Sequence, residues 1–178
     1  MRESSASAGE GSDMKLWLAI RAIVYGIGFI ALWVWIALLV RRFDARLGFQ
    51  LPSWTELVGW ALAVAGAAVA VSCVAVFVHK GRGTPAPFDA PREFVASGPY
   101  RYVRNPMYIG GLGVMLGFGL ALRSASIALL AVAASALMHA FVVGYEEPTL
   151  EKRFGAAYLS YKRSVRRWLP TRPDEGAS

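Results

Sequence analysis

YIGGLGVMLGFGLALRSASIALLAVAASALMHAFVV, Tyr108–Val143, is apolar from end to end except at one place, Arg123-Ser124-Ala125-Ser126. As one straight helix it would extend about 54 Å at about 1.5 Å per residue, far beyond the ~30 Å hydrocarbon core of a bilayer. The polar break in its middle predicts two helices folded into a tight hairpin, Tyr108–Leu122 and Ile127–Glu146. The first of these is short for a crossing. Within lipid, helices satisfy every backbone polar group inside one segment, so a helical hairpin is the default. Gly113 and Gly117 form a small-xxx-small pair with Gly110, Gly111 and Gly119 close by, which predicts close helix packing. A hairpin also makes the start of one helix the neighbour of the end of the other. Arg104-Asn105-Pro106 should therefore lie beside Glu146-Glu147.

Two further apolar runs precede this hairpin. Leu57–Val78 is a 22-residue stretch with no charge, closed by His79 and Lys80. Leu16–Val40 is a 25-residue stretch broken only by Arg21 and ended by Arg41 and Arg42. It is too long for the apolar region of a signal peptide, and no small-residue cleavage pattern follows it. The fold class expected is all-α: a polytopic membrane helical bundle of about four transmembrane helices, with an amphipathic C-terminal helix on the cytosolic side. Residues 14–170 form one domain between disordered tails at 1–13 and 171–178. Composition agrees, with 56% hydrophobic and 17% charged residues against roughly 45–50% and 25% in soluble domains. The one cysteine, Cys73, lies inside an apolar run and reads as a packing residue; a disulfide framework within the chain is excluded.

The net charge of +7 raises nucleic acid as a partner, but its distribution speaks for topology. With four spans, fourteen Lys and Arg residues fall on the side shared by both termini and the middle loop. Only Arg41, Arg42, Arg46 and Arg123 fall on the other. The positive-inside rule then puts both termini in the cytosol, in a bacterial-type inner membrane, with anionic lipid rather than nucleic acid as the partner of the basic surface.

Two segments on that face carry the candidate chemistry. Glu146 and Glu147 end an apolar helix at the bilayer edge, where a helix C-terminus repels negative charge, so a cationic ligand or an arginine partner is expected. His139 lies seven residues earlier and can share their face. Leu150, Phe154, Tyr158 and Tyr161 recur at helical spacing, predicting an amphipathic helix whose aromatic stripe packs inward. Pro85, Pro87, Pro91 and Pro99 stiffen the loop Gly81–Pro99 into an extended connector, lid or substrate groove. There is no strand leading into G-x-G-x-x-G, no P-loop and no HExxH, so dinucleotide, nucleotide and zinc-hydrolase chemistry are not indicated, and no metal is expected.

The run GPYRYVRNPMYIGG (98–111), followed by YEEPTLEKRFGAAYLSYKRSVRRWLP (145–170), resembles the isoprenylcysteine carboxyl methyltransferase and phospholipid N-methyltransferase superfamily over roughly Gly81–Pro170. The resemblance implies an integral membrane methyltransferase that binds S-adenosylmethionine in a cytosol-facing pocket. Tyr100, Arg104, Asn105 and Tyr108 would line it from one side, and Glu146, Glu147, Tyr158 and Tyr161 from the other. Arg104, Asn105 and Glu146 would carry the chemistry. Many relatives have His where this chain has Asn105, and asparagine is no general base at neutral pH. The late V-P-R-x-x-P pattern appears here as Val165-Arg166-Arg167-Trp168-Leu169-Pro170, with Arg166 in place of proline.

The residue types suit that ligand. A glutamate can pair with the donor's ammonium, Arg104 can grip its carboxylate, and an aromatic face can meet the sulfonium. The acceptor stays open between a prenylcysteine-like carboxylate, a phospholipid amine and a thiol. The competing reading is a non-catalytic membrane module such as a small transporter subunit or scaffold. A transporter more often places polar residues at the midplane. Here they gather at one face.

Overall fold

The computed structural model describes residues 30–80 and 96–171, with residues 20, 24 and 26–28. The tail 1–13, most of the tail 171–178 and the proline-bearing loop up to residue 95 lie outside the described residues. Among those described, the chain is helical and contains no strand.

Helix α1 (30–41) is followed by a short α2 (Asp44–Leu47), then α3 (Thr55–Lys80). A 3-10 turn at Gly98–Arg101 leads into α4 (Pro106–Ala121) and α5 (Ala125–Phe141). A π-helical turn (Val142–Glu146) joins α5 to α6 (Glu147–Phe154), and α7 (Ala156–Ser164) closes the order. Among the described residues, three helical segments are long and apolar enough to cross a membrane: Gly26–Leu47, Thr55–Val76 and Ala125–Phe154. α4 is apolar but shorter, with 16 residues, or about 24 Å at about 1.5 Å per residue. The hairpin read from the sequence is present, and its first arm is the short one.

α3 and α4 run antiparallel in very close contact, through glycines facing glycines. A Cβ on Gly66 would lie 2.6 Å from the Gly110 carbonyl oxygen, and one on Gly117 would lie 2.7 Å from that of Gly59. Each helix thus contributes two glycines seven residues apart, paired in opposite order. Of the pair Gly113 and Gly117 that the sequence pointed to, Gly117 lies in this seam, as does the nearby Gly110. Gly113 meets α3 only at ordinary contact distance, with Gly66 Cα at 3.5 Å. Trp60 and Phe118 pack edge-to-face beside this seam, centroids 5.6 Å apart.

The α4–α5 turn is set by Arg123, whose φ of 52° is unusual for a residue with a Cβ. Its Nε donates to the Leu51 carbonyl at 2.8 Å, which ties the turn to the segment before α3. Ser124 Oγ accepts from Ile127 N–H as the N-cap of α5. Asp44 Oδ1 accepts from Ser126 N–H at 2.8 Å, linking α2 to the first turn of α5. This end of the bundle is therefore closed by capping bonds.

The aromatic stripe near the C-terminus packs inward, as its spacing implies. Tyr158, Tyr161 and Val165 form a buried cluster, with Leu150 and Phe154 against it. It is carried by two short helices rather than one. Gly155, at φ 53° and ψ −126°, breaks the helix in a conformation open essentially to glycine alone.

Candidate active site

The opposite end of the bundle brings together the ends of α3, α4 and α5 and the segment after α7. α4 starts at Pro106, whose missing N–H costs nothing at a first helical position. The residues just before it, Arg104 and Asn105, are thereby held at the mouth of the α4–α5 hairpin. Across from them α5 widens into the π turn, in which Glu147 N–H donates to the Val142 carbonyl. Single π turns inside α-helices are rare and concentrate at functional sites. This one falls on the acidic pair.

The two adjacent glutamates have different surroundings. Glu147 is 4% exposed and surrounded by cations. Arg104 Nη1 donates to its Oε1 at 2.9 Å, Arg167 Nε to the same oxygen at 2.6 Å, and Arg167 Nη2 to Oε2 at 3.0 Å. Lys162 Nζ stands 3.4 Å from Oε2 and also pairs with Glu151. These bonds hold the Arg167 guanidinium still further above its already high range, and the Glu151 pair does the same for the Lys162 ammonium. Both are fixed cations. Glu146 is half-buried and accepts from the Tyr108 hydroxyl at 2.8 Å through Oε2. Among the described residues, no cation lies within ion-pair distance of it.

The segment 165–171 lies across this end as a strap. Arg104 N–H donates to the Arg166 carbonyl at 2.9 Å, and Thr171 N–H to that of Tyr102 at 2.7 Å. Asn105, 8% exposed, donates its Nδ2 to the Arg167 carbonyl at 3.3 Å. Asn105 is therefore a fastening for the strap, in keeping with its lack of basicity. Tyr161 donates to the Tyr100 carbonyl at 2.6 Å, and its ring lies 6.2 Å from that of Tyr158. Burial pushes the hydroxyls of Tyr100, Tyr158 and Tyr161 above the ordinary phenol range, so all three stay protonated at neutral pH. His139 takes no part in the acidic pair: its Nδ1 accepts from Trp168 Nε1 at 2.9 Å.

All eight residues expected around a pocket thus converge on one end of the bundle. Arg167 and Lys162 belong with them but were not among the site residues expected from the sequence. The signal for Arg167 was its place at the arginine of the V-P-R-x-x-P pattern.

The phospholipid methyltransferase family model matches residues 54–157, more than half of the 178-residue chain. The chain belongs to this family. It is accordingly a membrane methyltransferase, and its long apolar helices fit an integral membrane protein. No curated protein and no solved structure matches it. The family match reaches back to Trp54 and so includes α3, beyond the paired motifs that carried the resemblance. It ends at Ala157, short of Tyr158, Tyr161 and the strap.

Proposed function

We propose that this chain transfers a methyl group from S-adenosylmethionine to a lipophilic acceptor at the cytosolic membrane face, with a phospholipid amine the acceptor that suits the site best. The observation that carries this reading is the contrast between the two glutamates. Glu147 is neutralised by Arg104, Arg167 and Lys162, whereas Glu146 has no cation partner among the described residues and accepts from the Tyr108 phenol. A half-buried carboxylate without a cation suits a cationic ligand.

The donor set fits S-adenosylmethionine. The Arg104 side chain is 9% exposed, and its Nε is buried without a partner among the described residues. A buried donor left over is costly unless something accepts from it, and the donor's carboxylate can do so. Glu146, oriented by Tyr108, is placed for the ammonium. Bound S-adenosylmethionine would supply an electrophilic methyl group on a sulfonium. The chain's own contribution is orientation, which can lower such a barrier by several kcal/mol.

An ammonium headgroup must lose a proton, to solvent at the interface, before its nitrogen can attack. The charge of Glu146 disfavours a carboxylate acceptor. An acyl-chain acceptor would enter from the bilayer, its headgroup level with the site. The excess of Lys and Arg on this end supports a cytosolic placement of the site and both termini.

The test is methyl transfer from isotopically labelled S-adenosylmethionine by purified protein in vesicles. Label entering phosphatidylethanolamine-containing vesicles, and not vesicles of phosphatidylcholine alone, is the expected result. Label entering neither, or only an added prenylcysteine or thiol, would overturn the amine assignment.

A further inference from the structure

We propose that Arg167 is a positioning residue of the transfer reaction: the strap 165–171 holds Arg104 and Glu147 in the geometry that receives the methyl donor. This rests on the S-adenosylmethionine reading above, but the strap's residues lie outside the family match, which ends at residue 157.

Three contacts converge on neighbouring residues of the strap. The Arg166 carbonyl accepts from the main-chain N–H of Arg104 at 2.9 Å. The Arg167 carbonyl accepts from the Asn105 side chain at 3.3 Å. The Arg167 guanidinium grips both oxygens of Glu147, at 2.6 and 3.0 Å. Arg104 and Arg167 share Oε1 of that one carboxylate. The shared oxygen fixes Arg104 by its Nη1 end and leaves Nε, buried and without a partner among the described residues, as the donor available to an anion. Without Arg167, Glu147 would keep Arg104 and Lys162 as partners but lose its two-pronged anchor. Glu147 could then turn toward Arg104, changing the orientation of the guanidinium that is to meet the donor's carboxylate. Arg167 itself need touch neither donor nor acceptor.

The position is specific for arginine. Lysine supplies the charge but only a single point of attachment, so it should restore part of the effect. Glutamine supplies neither charge nor fork.

The experiment is calorimetric titration of S-adenosylmethionine into the full-length protein in lipid nanodiscs, for wild type, Arg167→Gln, Arg167→Lys and Arg163→Gln. The last removes one positive charge from an exposed residue outside the site and serves as the control. The expected result is a dissociation constant at least tenfold weaker for Arg167→Gln, intermediate for Arg167→Lys and unchanged for Arg163→Gln, at full stoichiometry in each case. A merely structural role would lower the stoichiometry, as molecules misfold, and leave the dissociation constant of the remainder unchanged; that outcome overturns the proposal. Equal binding by wild type and Arg167→Gln overturns it as well. Failure of the wild type itself to bind would sink the cofactor reading beneath it, a result separate from either of these.

Discussion

Arg104 and Glu147, 43 residues apart in sequence, are joined by a 2.9 Å ion pair at the mouth of the α4–α5 hairpin, with side chains 9% and 5% exposed. Removing one partner of a buried pair leaves the other charge uncompensated, at a cost of about 3–5 kcal/mol. Glu147→Gln should therefore lower stability by about 3 kcal/mol, seen as a markedly lower thermal midpoint in detergent. Glu146→Gln, which loses only a bond to a phenol, should cost about 1 kcal/mol. Equal losses for the two variants would contradict the division of roles between the glutamates.

The α3–α4 seam leaves no room for a methyl group. Gly66→Ala places a Cβ 2.6 Å from the Gly110 carbonyl oxygen, a main-chain atom that can yield only if the helices part. The expected cost is about 1–3 kcal/mol, as for other overpacked sites. Gly111→Ala meets nothing within 4 Å and should leave the thermal midpoint unchanged or raised. Thermal denaturation of the two variants side by side checks this.

Asp44 ties α2 to the first turn of α5 through a carboxylate–amide bond at a helix N-terminus. Asp44→Ala should cost about 1 kcal/mol, the usual worth of such a contact. Hydrogen exchange should show the Ser126 amide opening faster in the variant. Unchanged protection there would mean that the bond contributes nothing.

Trp168 and His139 fasten the strap to α5 through a 2.9 Å hydrogen bond. Trp168→Phe keeps a ring but loses the N–H donor, so the strap amides should exchange faster. S-adenosylmethionine affinity should change by less than threefold, because Arg167 remains in place. A loss as large as that of Arg167→Gln would move the positioning role from Arg167 to Trp168.

Topology can be tested with single cysteines, since Cys73 is 0% exposed and should stay unlabelled by polar maleimides. In bacterial cells, Ser53→Cys should label from outside and Arg163→Cys only after permeabilisation. The reverse pattern would place the site on the outer face.

Much of this architecture was legible because it follows from bulk physics. A 36-residue apolar run with one polar break must fold back, and folding back sets Arg104 beside Glu147. The α3–α4 register was hidden because Gly59, Gly66, Gly110 and Gly117 come from separate segments, and neither pair announces its partner. Arg167 stood in the V-P-R-x-x-P-like run, but its partner was hidden: only the strap's course, fixed by main-chain bonds to Tyr102 and Arg104, brings it to Glu147. The π turn is invisible to any pattern of 3.6-residue period. It also explains why His139, on the same face as Glu146 in an ideal helix, faces Trp168 instead.

Glu146, unlike Glu147, has no cation within ion-pair distance among the described residues, which under the proposed function leaves it to receive a cationic ligand. Calorimetric binding of S-adenosylmethionine to purified wild type and to Glu146→Gln tests it most directly. Micromolar-range binding by the wild type, lost in a folded Glu146→Gln variant, is the expected result. Equal binding by the two proteins would contradict the assignment of Glu146. No binding by the wild type, in detergent and again with lipid restored, would contradict the S-adenosylmethionine reading as a whole.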